Sequence, residues 1–338
     1  MVKKIIVTGG AGYIGSHTVV QLVESGYEPI IIDNFSNAEH RVMDRLETIT
    51  GRRTKLYEGD CTDEDFMRRV IEKEGDIGGV IHFAAYKAVG ESVQKPLAYY
   101  KNNVDSLLVL LELMKQYNIN NFVFSSSCTV YGQPDQLPVT EDTPKKPAES
   151  PYGNTKQICE EIIEDFVASV DDFKAVSLRY FNPIGAHPSS LIGELPLGVP
   201  SNLVPFVTQT AAGLREKLTV FGEDYNTPDG TCIRDYIHVV DLAKAHVKAV
   251  DFIQNSGGTT LNELFNLGTG KGNSVLEVIK TFEKVTGEKL NFEIGPRRSG
   301  DVEQVYASVD KSNKILGWTA ELDLGQALKD AWNWQKTL

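Results

Sequence analysis

The chain is expected to be an α/β protein: a doubly wound parallel sheet with a second, smaller α/β lobe that binds substrate. Short β-rich runs alternate with longer helical patterns through the first half, the order that builds βαβ units. The runs are apolar without in-out alternation, as suits strands covered on both faces. The length of 338 residues exceeds what one compact core comfortably fills, so a companion lobe is expected.

Each element follows from its residues. Ile5-Ile6-Val7 is the first strand, and the Gly-rich turn after it leads into a helical stretch that ends near Ser25. Ile30-Ile31-Ile32 closes on Asp33, and Lys55-Leu56-Tyr57-Glu58 and Val80-Ile81-His82-Phe83 follow as strands. Ser106 to Met114 (Ser-Leu-Leu-Val-Leu-Leu-Glu-Leu-Met) has helical periodicity, and Phe122-Val123-Phe124 and Ala175-Val176-Ser177-Leu178 return to strand. From Phe181 to Pro205 the rhythm breaks into a Pro- and Gly-rich stretch, long enough to serve function rather than mere connection. The second lobe is expected to start there. Arg234 to His238, a helix through Phe252, and Phe265-Asn266-Leu267 resume the α/β pattern. The chain is therefore expected to cross back, giving a cofactor lobe over residues 1–182 with a return near 232–268, interleaved with a substrate lobe over 183–338.

Composition narrows the function classes. With 41% hydrophobic and 24% charged residues, the chain is ordinary globular material. A formal charge of -12 disfavours nucleic-acid and anionic-membrane partners, so an anionic ligand must be met by individually placed basic residues. Cys61, Cys128, Cys159 and Cys232 are far apart and form no metal-ligand spacing, so neither a disulfide framework nor a metal is expected. The first apolar run, Lys3 to Val7, is too short for a signal or a membrane span. A reducing, cytoplasmic setting is expected.

The turn Thr8-Gly9-Gly10-Ala11-Gly12-Tyr13-Ile14-Gly15 lies between a strand and a helix. Glycines at Gly9, Gly12 and Gly15 allow a tight turn, close approach to a pyrophosphate, and packing of helix on strand, with the anion at the helix N-terminus. Asp33 ends the next strand about 20 residues on, where its carboxylate can accept bonds from ribose hydroxyls and repel a 2′-phosphate. This points to a Rossmann-type site for NAD rather than NADP.

A second constellation follows the fifth strand. Phe124-Ser125-Ser126-Ser127-Cys128-Thr129-Val130-Tyr131-Gly132 is followed downstream by Pro151-Tyr152-Gly153-Asn154-Thr155-Lys156, which opens a helical run through Ile163. Tyr152 and Lys156 are four apart and share a helix face. A tyrosine of ordinary pKa ~10 must drop by about three units, worth ~4 kcal/mol, to act as a base near neutrality. One ammonium at ~6 Å and effective dielectric ~20 supplies under ~3 kcal/mol, so the positive nicotinamide of NAD is expected to add its share. A nearby hydroxyl would relay the proton. Ser127 is the chosen candidate, and Ser125 falls on the same side of the strand.

Together these stretches resemble the extended short-chain dehydrogenase/reductase family and, within it, the UDP-galactose 4-epimerases, over essentially the whole length. The resemblance is carried by Gly9 to His17, His82 to Pro96, Ser125 to Gly132, Arg179 to His187, Arg234 to Asp241 and Pro296 to Asp301. It implies Tyr13, Ile14, Asn34, Phe35, Ser36, Asn37, Asp60, Cys61, Phe83, Ala84, Lys87, Asn102, Tyr180 and Phe181 around NAD, besides Gly9, Gly12, Gly15 and Asp33. It implies Ser127, Tyr152 and Lys156 as catalytic, with Ser127 and Tyr152 also touching substrate. Asn182, Asn202, Leu203, Thr219, Val220, Phe221, Arg234, Arg298, Asp301 and Val305 would complete the UDP-sugar site. Forked donors such as Arg234 and Arg298 suit a diphosphate in a net-acidic protein, although Arg234 could equally serve a structural ion pair.

The implied reaction interconverts UDP-galactose and UDP-glucose through reversible oxidation at C4 to a 4-keto sugar, as in galactose metabolism. A homodimer built on the helices containing Leu107 to Met114 and Tyr152 to Phe166 is a further implication. Val305 stands four after the Asp of the Arg-x-Gly-Asp motif, where some members carry a bulky Tyr. The smaller side chain suggests room for a 2-acetamido group, and hence UDP-GlcNAc and UDP-GalNAc as additional substrates. Two other functions fit the sequence less well. A nucleotide-sugar 4,6-dehydratase needs an acid beside C6, and Cys128-Thr129-Val130 supplies none. A non-catalytic NAD sensor would have no use for Tyr152, Lys156 and Ser127.

Overall fold

The computed structural model describes residues 3–298 and 301–338. The strands are, in chain order, β1 (Lys4–Thr8), β2 (Glu28–Asp33), β3 (Lys55–Glu58), β4 (Ile77–His82), β5 (Asn121–Ser127), β6 (Lys174–Tyr180), β7 (Asn182–Ile184), β8 (Leu218–Phe221), β9 (Ile233–His238), β10 (Leu261–Leu267), β11 (Gly272–Ser274), β12 (Phe292–Gly295) and β13 (Gln304–Val305). The helices are α1 (Tyr13–Glu24), α2 (Arg41–Thr50), α3 (Glu64–Glu74), α4 (Val89–Gln94), α5 (Pro96–Gln116), α6 (Pro151–Ser169), α7 (Leu203–Ala211), α8 (Val239–Asn255), α9 (Val275–Thr286) and α10 (Leu324–Gln335).

A seven-stranded sheet runs in the order β10-β6-β5-β4-β1-β2-β3, and its recorded pairings are parallel. Alternate residues of one strand feed opposite cores. Ile5 and Val7 join Ile31, Ile81, Val123 and Val176 against α1 and α8. Ile6 joins Ile30, Ile32, Val80, Phe122 and Phe124 against α3, α5 and α6. With both sides covered, the inner strands carry apolar residues toward both faces, as Ile5, Ile6 and Val7 of β1 and Ile30, Ile31 and Ile32 of β2 do, and the in-out alternation is missing from the sequence there. The expected strands are all present, and β10 is the returning strand that completes the sheet edge beside β6.

The remaining strands form a four-stranded sheet, β11-β9-β13 with β7 on β9, and a two-stranded pair, β12-β8. They pack with α7, α9 and α10 around Val207, Val220, Tyr236, Ile279, Phe282 and Trp332. The C-terminal chain is fastened to α8 at Asp241, whose carboxylate accepts from the amides of Glu321 and Leu322 at 2.8 and 2.7 Å. Among the described residues, no helix is long and apolar enough to cross a membrane.

The helices expected from the resemblance to carry self-association, those containing Leu107 to Met114 and Tyr152 to Phe166, are α5 and α6. Leu107, Leu110, Leu111, Leu113 and Met114 are all buried. The apolar residues α5 turns outward are Leu97 (81% exposed) and Leu108 (42%).

Candidate active site

The carboxyl ends of β1, β2, β4, β5 and β6 open into one cleft of about 1180 Å³. Strand order reverses between β1 and β4, the switch point where open α/β sheets bind ligands. Its first wall is the Gly-rich turn. Gly9 has φ +69°, and a Cβ there would meet the backbone of Ala84 at 2.9 Å. A Cβ on Gly15 would strike the carbonyl of Gly9. α1 then begins with no side-chain cap and no acid in its first turn, so its leading amides and dipole are available to an anion. This fits a dinucleotide pyrophosphate.

Asp33 is aimed by its neighbours, its two carboxylate oxygens accepting from the amides of Ala11 and Phe35, each at 2.9 Å. Burial raises its pKa above the ordinary value, against the amides of Phe35, Ala11 and Gly12. Asn34 donates to Asp60 at 3.0 Å. Burial opposes ionisation of Asp60, yet the amide and hydroxyl of Thr62, with Asn34, hold it below the ordinary carboxylate value. Tyr13 donates its hydroxyl to the carbonyl of Gly185 at 2.7 Å. Burial, then the Glu194 carboxylate, keep that phenol protonated well above its ordinary pKa.

The chemical groups stand mid-cleft. α6 begins at Pro151, capped by Ser150, whose hydroxyl accepts from the amide of Gly153 at 3.1 Å. Tyr152 is thus in the first turn and Lys156 one turn on. Asn103 donates to Thr155 at 3.1 Å, and Thr155 to the carbonyl of Tyr152 at 2.7 Å, fixing that turn. Lys156 is buried and donates to the carbonyl of Ser125 at 2.6 Å, with its ammonium 6.0 Å from the centre of the Tyr152 ring. Burial lowers Lys156 to about 8.

The expected drop in the Tyr152 pKa is reversed in the protein by itself. Burial, and next the neighbouring Tyr180, push the phenol up, while the Ser127 hydroxyl works the other way. Desolvation disfavours the ionised phenol, and residue spacing carries no sign of it.

The serines of β5 have separate engagements. Ser125 pairs with the hydroxyl of Tyr180. Ser126 donates to Glu160 at 2.6 Å. Ser127 accepts from the amide and hydroxyl of Thr129 at 3.2 and 3.0 Å, which leaves its own proton to give. Glu160 in turn takes a fork from Arg179, Nε at 2.8 Å and Nη2 at 2.7 Å, and Arg179 also donates to Tyr131 at 3.0 Å. α6 is thereby tied to β6 behind the site.

The far end of the cleft is lined by Asn182, Asn202, Leu203, Thr219, Val220, Phe221, Arg234, Arg298, Asp301 and Val305. Arg234 donates to the carbonyls of Ile233 and Glu303 at 2.9 and 3.4 Å. Arg298, rather than Arg234, makes an ion pair here, donating to Asp301 at 3.1 and 2.6 Å. Val305 is buried beside Val130 and Phe181. Ser299 and Gly300 of that motif lie outside the described residues.

On the cofactor side, Gly9, Gly12, Tyr13, Ile14, Gly15, Asp33, Asn34, Ser36, Asn37, Asp60, Cys61, Phe83, Ala84, Lys87, Asn102, Tyr180 and Phe181 line the cleft. Phe35 is the exception. Its backbone turns to φ 54° and its ring stacks on His40 at 3.9 Å, so its amide rather than its ring serves the site. The sequence missed Tyr86, Phe206, Tyr236 and Glu194, which also line the wall. Glu194 had one available signal, its place in the Pro- and Gly-rich stretch. Among the described residues, no group of three or more His, Cys, Asp or Glu is placed to hold a metal ion.

Known proteins share this architecture. A family profile described as GDP-mannose 4,6 dehydratase matches residues 6–331. A UDP-glucose 4-epimerase of Haemophilus influenzae is 49% identical over 332 residues, 98% of this chain and 97% of that one. A UDP-glucose 4-epimerase of Bifidobacterium longum, solved in complex with NAD+ and UDP, superposes with TM-score 0.94 at 48% identity, covering 99% of this chain and 98% of that one. A UDP-glucose 4-epimerase of Stenotrophomonas maltophila, solved with NAD and formylated UDP-arabinopyranose, reaches TM-score 0.96 at 44% identity, covering 99% and 98%.

Proposed function

We infer how the cleft divides its work from the premise that this chain belongs to the UDP-glucose 4-epimerase family. It is an NAD-dependent isomerase that interconverts UDP-galactose and UDP-glucose. NAD, when bound, supplies the oxidant, accepting hydride from C4 and returning it, and brings a positive nicotinamide close to the base. The Gly-rich turn, the α1 N-terminus, Asp33 and Lys87 hold the pyrophosphate and adenosine ribose.

One observation carries the residue assignment: Tyr152, Lys156 and Ser127 line the same cleft as the dinucleotide turn and the basic far end. Tyr152 takes the 4-hydroxyl proton through or beside Ser127, whose oxygen is steadied by Thr129. Lys156 fixes the strand end through Ser125 and adds its charge. Arg234 and Arg298 hold the diphosphate while the sugar, gripped loosely, turns to present its other face. The dehydratase chemistry named by the family profile does not suit the site, since Cys128 and Thr129 follow Ser127 where an acid would be needed.

The test is NMR of purified protein with UDP-glucose or UDP-galactose and no added cofactor. The C4 epimer is expected, without solvent hydrogen at C4. Deuterium from heavy water at that carbon would overturn hydride return. The N-acetyl pair is accepted as well, on the ground that Val305 is a small side chain on the wall. Val305→Tyr is expected to abolish turnover of UDP-GlcNAc and spare UDP-glucose, and equal turnover of both by the variant would refute this gate.

The cofactor lobe (1–182 with a return near 232–268) and nucleotide-sugar lobe (183–338) are part of this reading, supported by β10 joining the seven-stranded sheet. The protein works as a homodimer in the cytoplasm. Four free cysteines suit that compartment, and the outward Leu97 and Leu108 of α5 suit the self-association.

A further inference from the structure

The two halves of the cleft are joined by one carboxylate. Glu194 lies in the irregular segment between β7 and α7, and its side chain is 10% exposed. Its Oε1 accepts from Nζ of Lys87, on the cofactor side, at 3.3 Å. The same oxygen accepts from Nδ2 of Asn202, on the nucleotide-sugar side, at 2.7 Å. Asn202 is the N-cap position of α7, yet its side chain makes no cap bond. It points to Glu194 instead.

The carboxylate is held from behind. The indole of Trp334 in α10 donates to the carbonyl of Glu194 at 2.9 Å. Gly193 lies so close to that indole that a Cβ would meet its ring at 2.5 Å. Gly193 also bridges Ala186, and the amide of His187 donates to the carbonyl of Ile192 at 3.0 Å. The backbone leading into Glu194 and the carbonyl of Glu194 itself are therefore held in place.

We propose that Glu194 couples the two ligand sites, tying Lys87 to Asn202 so that occupation of either half orders the other. The proposal rests on the assignment of those halves to NAD and UDP-sugar given above. When both are filled, Glu194 holds Lys87 toward one diphosphate and Asn202 toward the other. Coupling of this kind is reciprocal at equilibrium: UDP must tighten NAD by as much as NAD tightens UDP, and slower loss of NAD is its expected kinetic sign. Glu194 is a positioning residue, touching neither the reacting carbon nor the proton in transit.

The experiment follows release of NAD from the NAD-loaded protein, with and without saturating UDP, for the wild type, Glu194→Gln and Glu194→Ala. UDP affinity is measured by calorimetry on the same samples. In the wild type, UDP is expected to slow NAD loss at least about fivefold, the lower end of ordinary coupling. In both variants the ratio is expected to fall below about twofold while each ligand still binds. A merely structural role would change NAD loss equally with and without UDP and leave the ratio intact, which overturns the proposal. So does a wild type that binds both ligands without protection. A wild type that binds neither NAD nor UDP refutes the assignment of the halves, and the proposal falls with it.

Discussion

At the scale of single residues, the proposed base is a phenol that the protein alone keeps protonated. Burial raises Tyr152 and lowers Lys156 to about 8, so burial disfavours the charged form of both groups. Tyr152→Phe is expected to lower kcat by roughly 10²- to 10⁴-fold, the ordinary worth of a positioned acid–base group, while cofactor absorbance of the purified protein is unchanged. With burial lowering Lys156 to about 8, its charge and its help to an ionised Tyr152 are present on the acid side and fade as pH rises through that region. In Lys156→Met the rising limb of the pH–rate profile should move up by as much as about two units, from the ~3 kcal/mol ceiling on that charge. An unmoved limb would mean that Lys156 acts only through Ser125. The four-residue spacing made Tyr152 and Lys156 visible in the sequence. Desolvation was not visible, because burial depends on parts of the fold distant in the chain, as does the neighbouring Tyr180.

At the scale of elements, strand, turn and helix read directly from residues 5–25, because each step there is local. Gly15→Ala should lose bound NAD on dialysis, since the new Cβ meets the carbonyl of Gly9 and opens the turn. The tether of α6 was illegible, because its two ends are Glu160 and Arg179, on α6 and on β6. Removing one partner of such a buried pair costs about 3–5 kcal/mol, so Arg179→Met should lower the urea midpoint accordingly. Burial works against ionised Glu160, but Arg179, Ser126 and Lys145 hold its pKa below the ordinary value. Its stabilisation is thus present above the unfolded carboxylate value of ~4.3 and is lost as pH falls through the lower folded value. The stability gap between wild type and Glu160→Gln should close in that acid window. The segment around Glu194 was legible only as irregular, since Trp334 and Asn202 set its conformation.

At the scale of the whole molecule, the alternating pattern foretold the parallel sheet. It did not foretell which helix face would be left outside, since α5 is apolar on several sides and only packing decides among them. Leu97→Glu together with Leu108→Glu should shift sedimentation from dimer to monomer, and a variant that still sediments as a dimer would place the interface elsewhere.

The sheet has an order of manufacture as well as an order in space. β10, from residues 261–267, pairs with β6 at the sheet's edge. A chain leaving the ribosome therefore carries β6 with its flank bare until most of the polypeptide has been made. An unpaired flank invites strands from other chains. Nascent chains stalled before residue 261 are the species that a holding chaperone would grip, and that would stick to one another without it.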